Sequence, residues 1–161
     1  MPNRAMSFDL HIVLVEPEIP QNTGNIVRTC AALGAKLHLV EPLGFSLEDR
    51  YLRRAGLDYW SEVFVAKHPS FDHYRQLHIS RNYVYTTKRA TGGYTEIAYP
   101  SPCSIIFGKE TQGLSPQILA GNERSTVRIP MRQGIRSLNL SNAVAIVAYE
   151  AFRINRFPGL V

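Results

Sequence analysis

LHIVLV, Leu10 to Val15, is a near-continuous apolar run interrupted only by His11. A strand with one solvated face would place a polar residue at every second position, so this run reads as a strand covered on both faces. A loop with Pro17 and Pro20 follows. Asn22 or Thr23 then caps a helix that carries Ile26, Val27, Cys30 and Ala31 on one side, and Gly34 ends it. The same alternation continues along the chain. Leu37 to Val40, Val63 to Ala66, Tyr83 to Thr87, Ser104 to Phe107 and Val127 to Ile129 read as further strands. Between them, Ser46 with Asp49 resembles a capping box for a helix closed by Gly56, and Ser70 caps a short helix through Leu77. Ser115-Pro116 opens another helix, with Gly121 at its far end. Ser141 to Phe157 is the longest helix; it is apolar almost all round from Ala143 to Ala148 and needs burial against the sheet or a second subunit. Strands alternating with helices predict an α/β fold with a mostly parallel sheet flanked by helices.

With 161 residues the chain, 1 to 161, is read as one domain. No apolar run approaches the ~20 residues that span a bilayer, and Met1 to Asp9 has no signal-peptide core. A cytoplasmic protein is expected, with Met6 as an alternative start. Cys30 and Cys103 both sit in apolar surroundings and are read as buried free thiols. The net charge is +5, and 14 of the 18 basic residues are Arg. A guanidinium binds phosphate through two parallel hydrogen bonds and stacks on bases, so this bias points toward nucleic acid.

Common nucleotide signatures are missing: there is no GxxxxGK[ST], and no GxGxxG follows the first strand. His11, His38, His68, His73 and His78 form neither HExxH nor a Cys/His ligand set, so no metal is expected; His11 and His38, inside strands, read as packed core residues. Three polar clusters interrupt the apolar elements. Glu16 to Arg28 follows the first strand, at the edge of an α/β sheet where ligands bind, though a capped loop with a solvated arginine explains it equally well. Phe107 to Leu114 (FGKETQGL) has Glu110 at a strand end between Gly108 and Gly113, a pattern that a ligand loop or a simple turn explains equally well. Ile129 to Ala143 carries Ser137, Asn139, Ser141 and Asn142 before a buried helix, more hydrogen-bonding side chains than one helix cap uses.

In order, these clusters resemble the three motifs of the SPOUT class of RNA methyltransferases, and most closely its small single-domain branch that methylates the ribose of the tRNA wobble nucleotide. The resemblance runs through VEPEIPQNTGNIVR (15–28), EPLGF (41–45), RRAGLDYW (53–60), FGKETQGL (107–114), IPMRQGIRSLNLSNA (129–143) and FPG (157–159). It implies a C-terminal trefoil knot and S-adenosylmethionine held mainly by backbone groups of the loops after strands four, five and six, at Tyr85, Gly108, Ile129, Ser137 and Leu138. It also implies a homodimer packed through the last helix, with Tyr149 at the contact. Arg28 is implied as the catalytic residue. It would position the substrate and stabilise developing negative charge. Arg136, Asn22 and Glu110 are implied at the substrate side. The expected reaction is methylation of the 2′-hydroxyl of a wobble cytidine or modified uridine in tRNA, without a metal. Methylation of ribosomal RNA, or RNA binding without catalysis, are the alternatives. Lys109 departs from the proline of some relatives. The chain lacks the extra RNA-binding domain of larger ones, so Arg50, Arg53, Arg54, Lys88 and Arg89 become candidate phosphate contacts.

Overall fold

A computed structural model describes residues 7–161; the expected alternative start at Met6 lies outside them. Six strands form one all-parallel sheet in the order β3-β2-β1-β5-β4-β6. They are β1 (Leu10–Val15), β2 (Lys36–Val40), β3 (Val65–His68), β4 (Asn82–Thr86), β5 (Cys103–Phe107) and β6 (Thr126–Val127). The helices are α1 (Pro20–Leu33), α2 (Arg50–Gly56), α3 (Phe71–Leu77), α4 (Pro116–Leu119) and α5 (Leu140–Ile154). All six residues of β1 are buried, as its apolar run requires.

Alternation along the strands divides the core. Leu10, Ile12, Leu14, Leu37, Leu39, Ile105 and Phe107 face α1 and α5. Val13, Val15, Val40, Tyr85 and Ile106 face α3, with Phe71 and Tyr74 packed on them. Helix α5 buries Val144, Val147, Ala148, Ala151 and Phe152 but leaves Tyr149 at 44% exposure. After β6, at the sheet's edge, the chain comes back across the ends of β4 and β5 to place α5 against α1 and β5. A C-terminal knot requires such a return. Cys30 and Cys103 are buried, and burial pushes both thiols up to about 12.

Several boundaries differ from the sequence reading. Helix α1 starts at Pro20 with Ile19 as its cap, not at Asn22 or Thr23; proline at the first position has its φ already set and no N–H to satisfy. Asp49, not Ser46, caps α2, its Oδ1 accepting from the amides of Tyr51 and Leu52. The third strand is shifted to Val65–His68, where His68 is buried against His38 on the neighbouring strand. Helix α4 has only four residues, and β6 only two. Helix α5 begins one residue early on an Asn139 cap and ends at Ile154, because Arg156 and Phe157 take positive φ.

Helices α1 and α2 meet at Gly24. A Cβ there would collide with the Ala55 side chain and stand 2.7 Å from the Leu52 carbonyl oxygen. Overpacking of this kind costs about 1–3 kcal/mol. Gly24→Ala is therefore expected to lower the urea-unfolding free energy by that amount, with an unchanged denaturant slope.

Candidate functional site

The carboxyl ends of β1, β4, β5 and β6 and the start of α5 enclose a cleft of about 760 Å³. This lies within the roughly 300–1,000 Å³ of small-molecule sites. It opens where the strand order reverses, since β1 is flanked by β2 on one side and β5 on the other. The floor is apolar, formed by Val127, Ile129, Leu138, Leu140 and Val147. Lys88, Arg89, Arg128 and Arg136 stand along its walls and mouth. The positive charge inferred from composition is thus concentrated beside a concave, partly apolar surface.

Two loops give the cleft its shape. After β5 the chain reverses so tightly that a Cβ on Gly108 would collide with the backbone of Gly113 and Leu114. The Gly113 amide donates to the Lys109 carbonyl at 2.9 Å, with φ +66° at Gly113. After β6 and the bridge between Arg128 and Gly93, residues 129–139 run without helix or strand along the other wall. The amide N–H groups of Ile129, Ser137 and Leu138 find no acceptor among the described residues. These donors remain available to a ligand.

A hydrogen-bond relay joins the three polar clusters. Glu110 Oε2 accepts from the Glu18 amide at 2.8 Å, and Oε1 accepts from the Ile19 amide at 3.0 Å and from Asn22 Nδ2 at 3.2 Å. Asn22 Oδ1 in turn accepts from Asn139 Nδ2 at 3.0 Å. Asn139 Oδ1 caps α5 by accepting from the amides of Ser141 and Asn142 and from Ser141 Oγ. The carboxylate therefore sits at the amino end of α1, where negative charge is favoured. Two further contacts strengthen the seam. Lys109 Nζ lies 2.9 Å from Glu16 Oε2, and Thr111 Oγ1 donates to Glu18 Oε1 at 2.7 Å. The hydrogen bond to Glu16, with its charge, raises the Lys109 pKa. Lys109 thus gains a partner in the loop after β1.

Of the residues singled out in the sequence, Gly108, Glu110, Ile129, Arg136, Ser137 and Leu138 line the cleft. Tyr85 does not. Its side chain is 1% exposed and packs with Phe71 and Tyr83 on the α3 face, while Thr86 at the end of β4 and Thr87 just after it line the cleft. Asn22 is buried behind the loops as part of the relay. Arg28 projects from the exposed side of α1, its guanidinium 5.2 Å from the Tyr59 ring centre, outside the cleft lining. Arg53 is occupied by Trp60 and the Leu47 carbonyl. Arg50 packs over the Tyr51 ring, and Arg54 is exposed. The sequence reading missed Asn139 as the link between α5 and α1. The surplus of polar side chains from Ser137 to Asn142 was its signal.

The SpoU rRNA Methylase family model matches residues 9–149. The chain is 44% identical over 153 residues to the tRNA (cytidine(34)-2′-O)-methyltransferase of Escherichia coli K12, covering 94% of this chain and 98% of that one. A solved structure described as "Structural insights into the 2-OH methylation of C/U34 on tRNA" superposes with a TM-score of 0.88 at 42% identity, covering 93% of this chain and 98% of the other. The AdoMet-bound rRNA methyltransferase of Sinorhizobium meliloti superposes at 0.77 and 25% identity, covering 94% of this chain but 59% of that one.

Because Asn139 both caps α5 and holds Asn22, Asn139→Ala is expected to cost about 1–2 kcal/mol. A double-mutant cycle with Asn22→Ala should show a coupling of at least about 0.5 kcal/mol in urea unfolding. Strict additivity would mean that the relay carries no energy.

Proposed function

The chain belongs to the SpoU rRNA Methylase family, and from that membership we propose that it transfers a methyl group from S-adenosylmethionine to the ribose 2′-hydroxyl of the wobble nucleotide of tRNA, cytidine or a modified uridine. The observation that carries this reading is the convergence of three distant segments on one cleft with an apolar floor, unpaired loop amides and a basic mouth. Full-length similarity to relatives named for nucleotide 34 of tRNA favours that substrate. The ribosomal RNA reading has weaker support, since the chain spans about three fifths of the rRNA methyltransferase it resembles.

The residues of the cleft fit S-adenosylmethionine. Val127, Ile129, Leu138 and Val147 offer a slot for a flat heterocycle. The amides of Ile129, Ser137 and Leu138, and the close-packed loop at Gly108, suit the polar edges of a nucleoside and an amino acid. Thr86 and Thr87, next to Tyr85, add backbone and hydroxyl groups to the same edge. When bound, this group would supply an electrophilic methyl on a positively charged sulfur; the ribose 2′-oxygen would take it by direct displacement, the sulfur leaving as a neutral thioether and the hydroxyl proton passing to solvent water.

The chain's own contribution is alignment and charge. Loops pinned by Glu110 and Asn139 hold the donor side in one geometry, so the reacting atoms meet without a further search. Arg28 is free at the surface of α1 to donate to a substrate phosphate and to the 2′-oxygen as negative charge builds on it. Arg136, Lys88 and Arg89 at the mouth engage phosphates. Two copies pack through α5, where Tyr149 and Ile154 remain exposed, and together present the basic surface that grips the RNA. Among the described residues no helix is long and apolar enough to cross a membrane. The protein acts on tRNA in the cytoplasm.

Arg28→Ala is expected to lower the rate of methyl transfer to unmodified tRNA by about 10²–10³-fold, as for loss of one charge-stabilising donor. Calorimetric titration with S-adenosylhomocysteine should give the parent affinity. Wild-type turnover in this variant would remove Arg28 from the chemistry. Failure of the parent chain to bind S-adenosylhomocysteine would remove the cofactor assignment.

A further inference from the structure

All five histidines of the chain gather in one patch outside the cleft. The rings of His11 and His38 stack with centres 4.2 Å apart. His78 stands edge-on to both, at 5.0 and 5.3 Å, and His68 and His73 extend the group. We propose that His11, His38 and His78 form a binding site for one divalent transition-metal ion of the zinc type. This inference does not depend on the methyl-transfer reading.

One nitrogen from each of the three rings lies within 4.8 Å of the others. Nitrogens on a tetrahedral zinc ion, bound at about 2.0–2.1 Å, stand roughly 3.4 Å apart. The remaining closure is small, and the half-buried His78, just after α3, is the ring with room to make it. The other two are already oriented. His11 Nδ1 is 2.9 Å from the Tyr74 hydroxyl, which is 2.6 Å from Ser104 Oγ. His38 Nδ1 is 2.9 Å from His68 Nε2. With both Nδ1 atoms engaged, each ring directs its Nε2 elsewhere, as metal-ligating histidines do when a second partner fixes their tautomer. His38 is 2% exposed, yet its Nε2 has no hydrogen-bond partner among the described residues. A buried nitrogen in that condition is costly unless something coordinates it.

The surrounding charges help to define the ion. Asp9 Oδ1 lies 3.8 Å from His11 Nε2, but Asp9 is also paired to Arg81 at 2.7 Å and approached by Lys36 at 3.7 Å. Arg81 and Lys36 offset the Asp9 carboxylate, so the choice of ion rests on the imidazole donors and not on local charge. Three imidazoles select zinc, copper or nickel over magnesium or calcium, and leave a fourth position for water. A bound ion would tie β1 and β2 to the segment between α3 and β4. The three ligands come from separate elements, so no local spacing in the sequence announces them.

The test is calorimetric titration of the metal-free full chain with zinc, with and without millimolar magnesium, beside the visible spectrum of the cobalt-substituted protein. One equivalent of zinc is expected to bind, unaffected by magnesium. The cobalt spectrum should show bands of nitrogen and oxygen ligation without thiolate charge transfer. His78→Ala, a change at a half-buried position, should weaken zinc binding at least about tenfold while leaving methyl transfer unchanged. Absence of a saturable site, equal affinity in His78→Ala, or a thiolate band implicating Cys30 or Cys103 would each overturn the proposal.

Discussion

The carboxylate of Glu110 is the fixed point of the molecule's working end. It sits at the turn after β5 and accepts three hydrogen bonds from the loop and helix that follow β1. Those two strands are neighbours in the sheet, but their loops are irregular and their amides would otherwise need solvent. Because one acceptor serves both the backbone and Asn22, the end of β5 and the start of α1 cannot move independently. Asn139 extends the same restraint to α5. The seam thus converts three flexible segments into one wall, with cap geometry, helix dipole and ion pairing acting in the same direction.

This construction suits methyl transfer between two mobile reactants. Displacement at a sulfonium methyl needs collinear approach more than it needs strong acid or base, so rigidity of the donor pocket matters more than a titrating side chain. The cleft accordingly has an apolar floor and loop amides instead of a buried charged centre. The arginines lie outside the floor, at the mouth and on α1, where a phosphate chain can meet them. The proposed function assigns the donor and the RNA to different parts of the chain, with the reaction where they adjoin.

Much of the fold was legible from residue patterns. The β1 run, the Gly34 terminus of α1, the Ser70 cap and the Ser115-Pro116 start of α4 all follow from local chemistry, and the structure has them where the sequence put them. Boundaries failed where a tertiary partner took over. Asn22 looks like a helix cap by type, but Pro20 starts the helix without one and Glu110 claims the asparagine. His68 ends β3 because His38 on the next strand pairs with it. Tyr85 turns its side chain to the α3 side because alternation along β4 puts it on the face opposite Val84. The histidine patch was invisible for the same reason: its members share no element.

If the cleft serves methyl transfer to tRNA, the methyl lands on the wobble ribose. The most direct measurement is incubation of the purified chain with unmodified tRNA and S-adenosylmethionine carrying an isotopically labelled methyl, followed by nuclease digestion and mass spectrometry of the fragments. One labelled methyl is expected, on the ribose 2′-oxygen of nucleotide 34. Label on a base, label at another nucleotide, or no incorporation would contradict it.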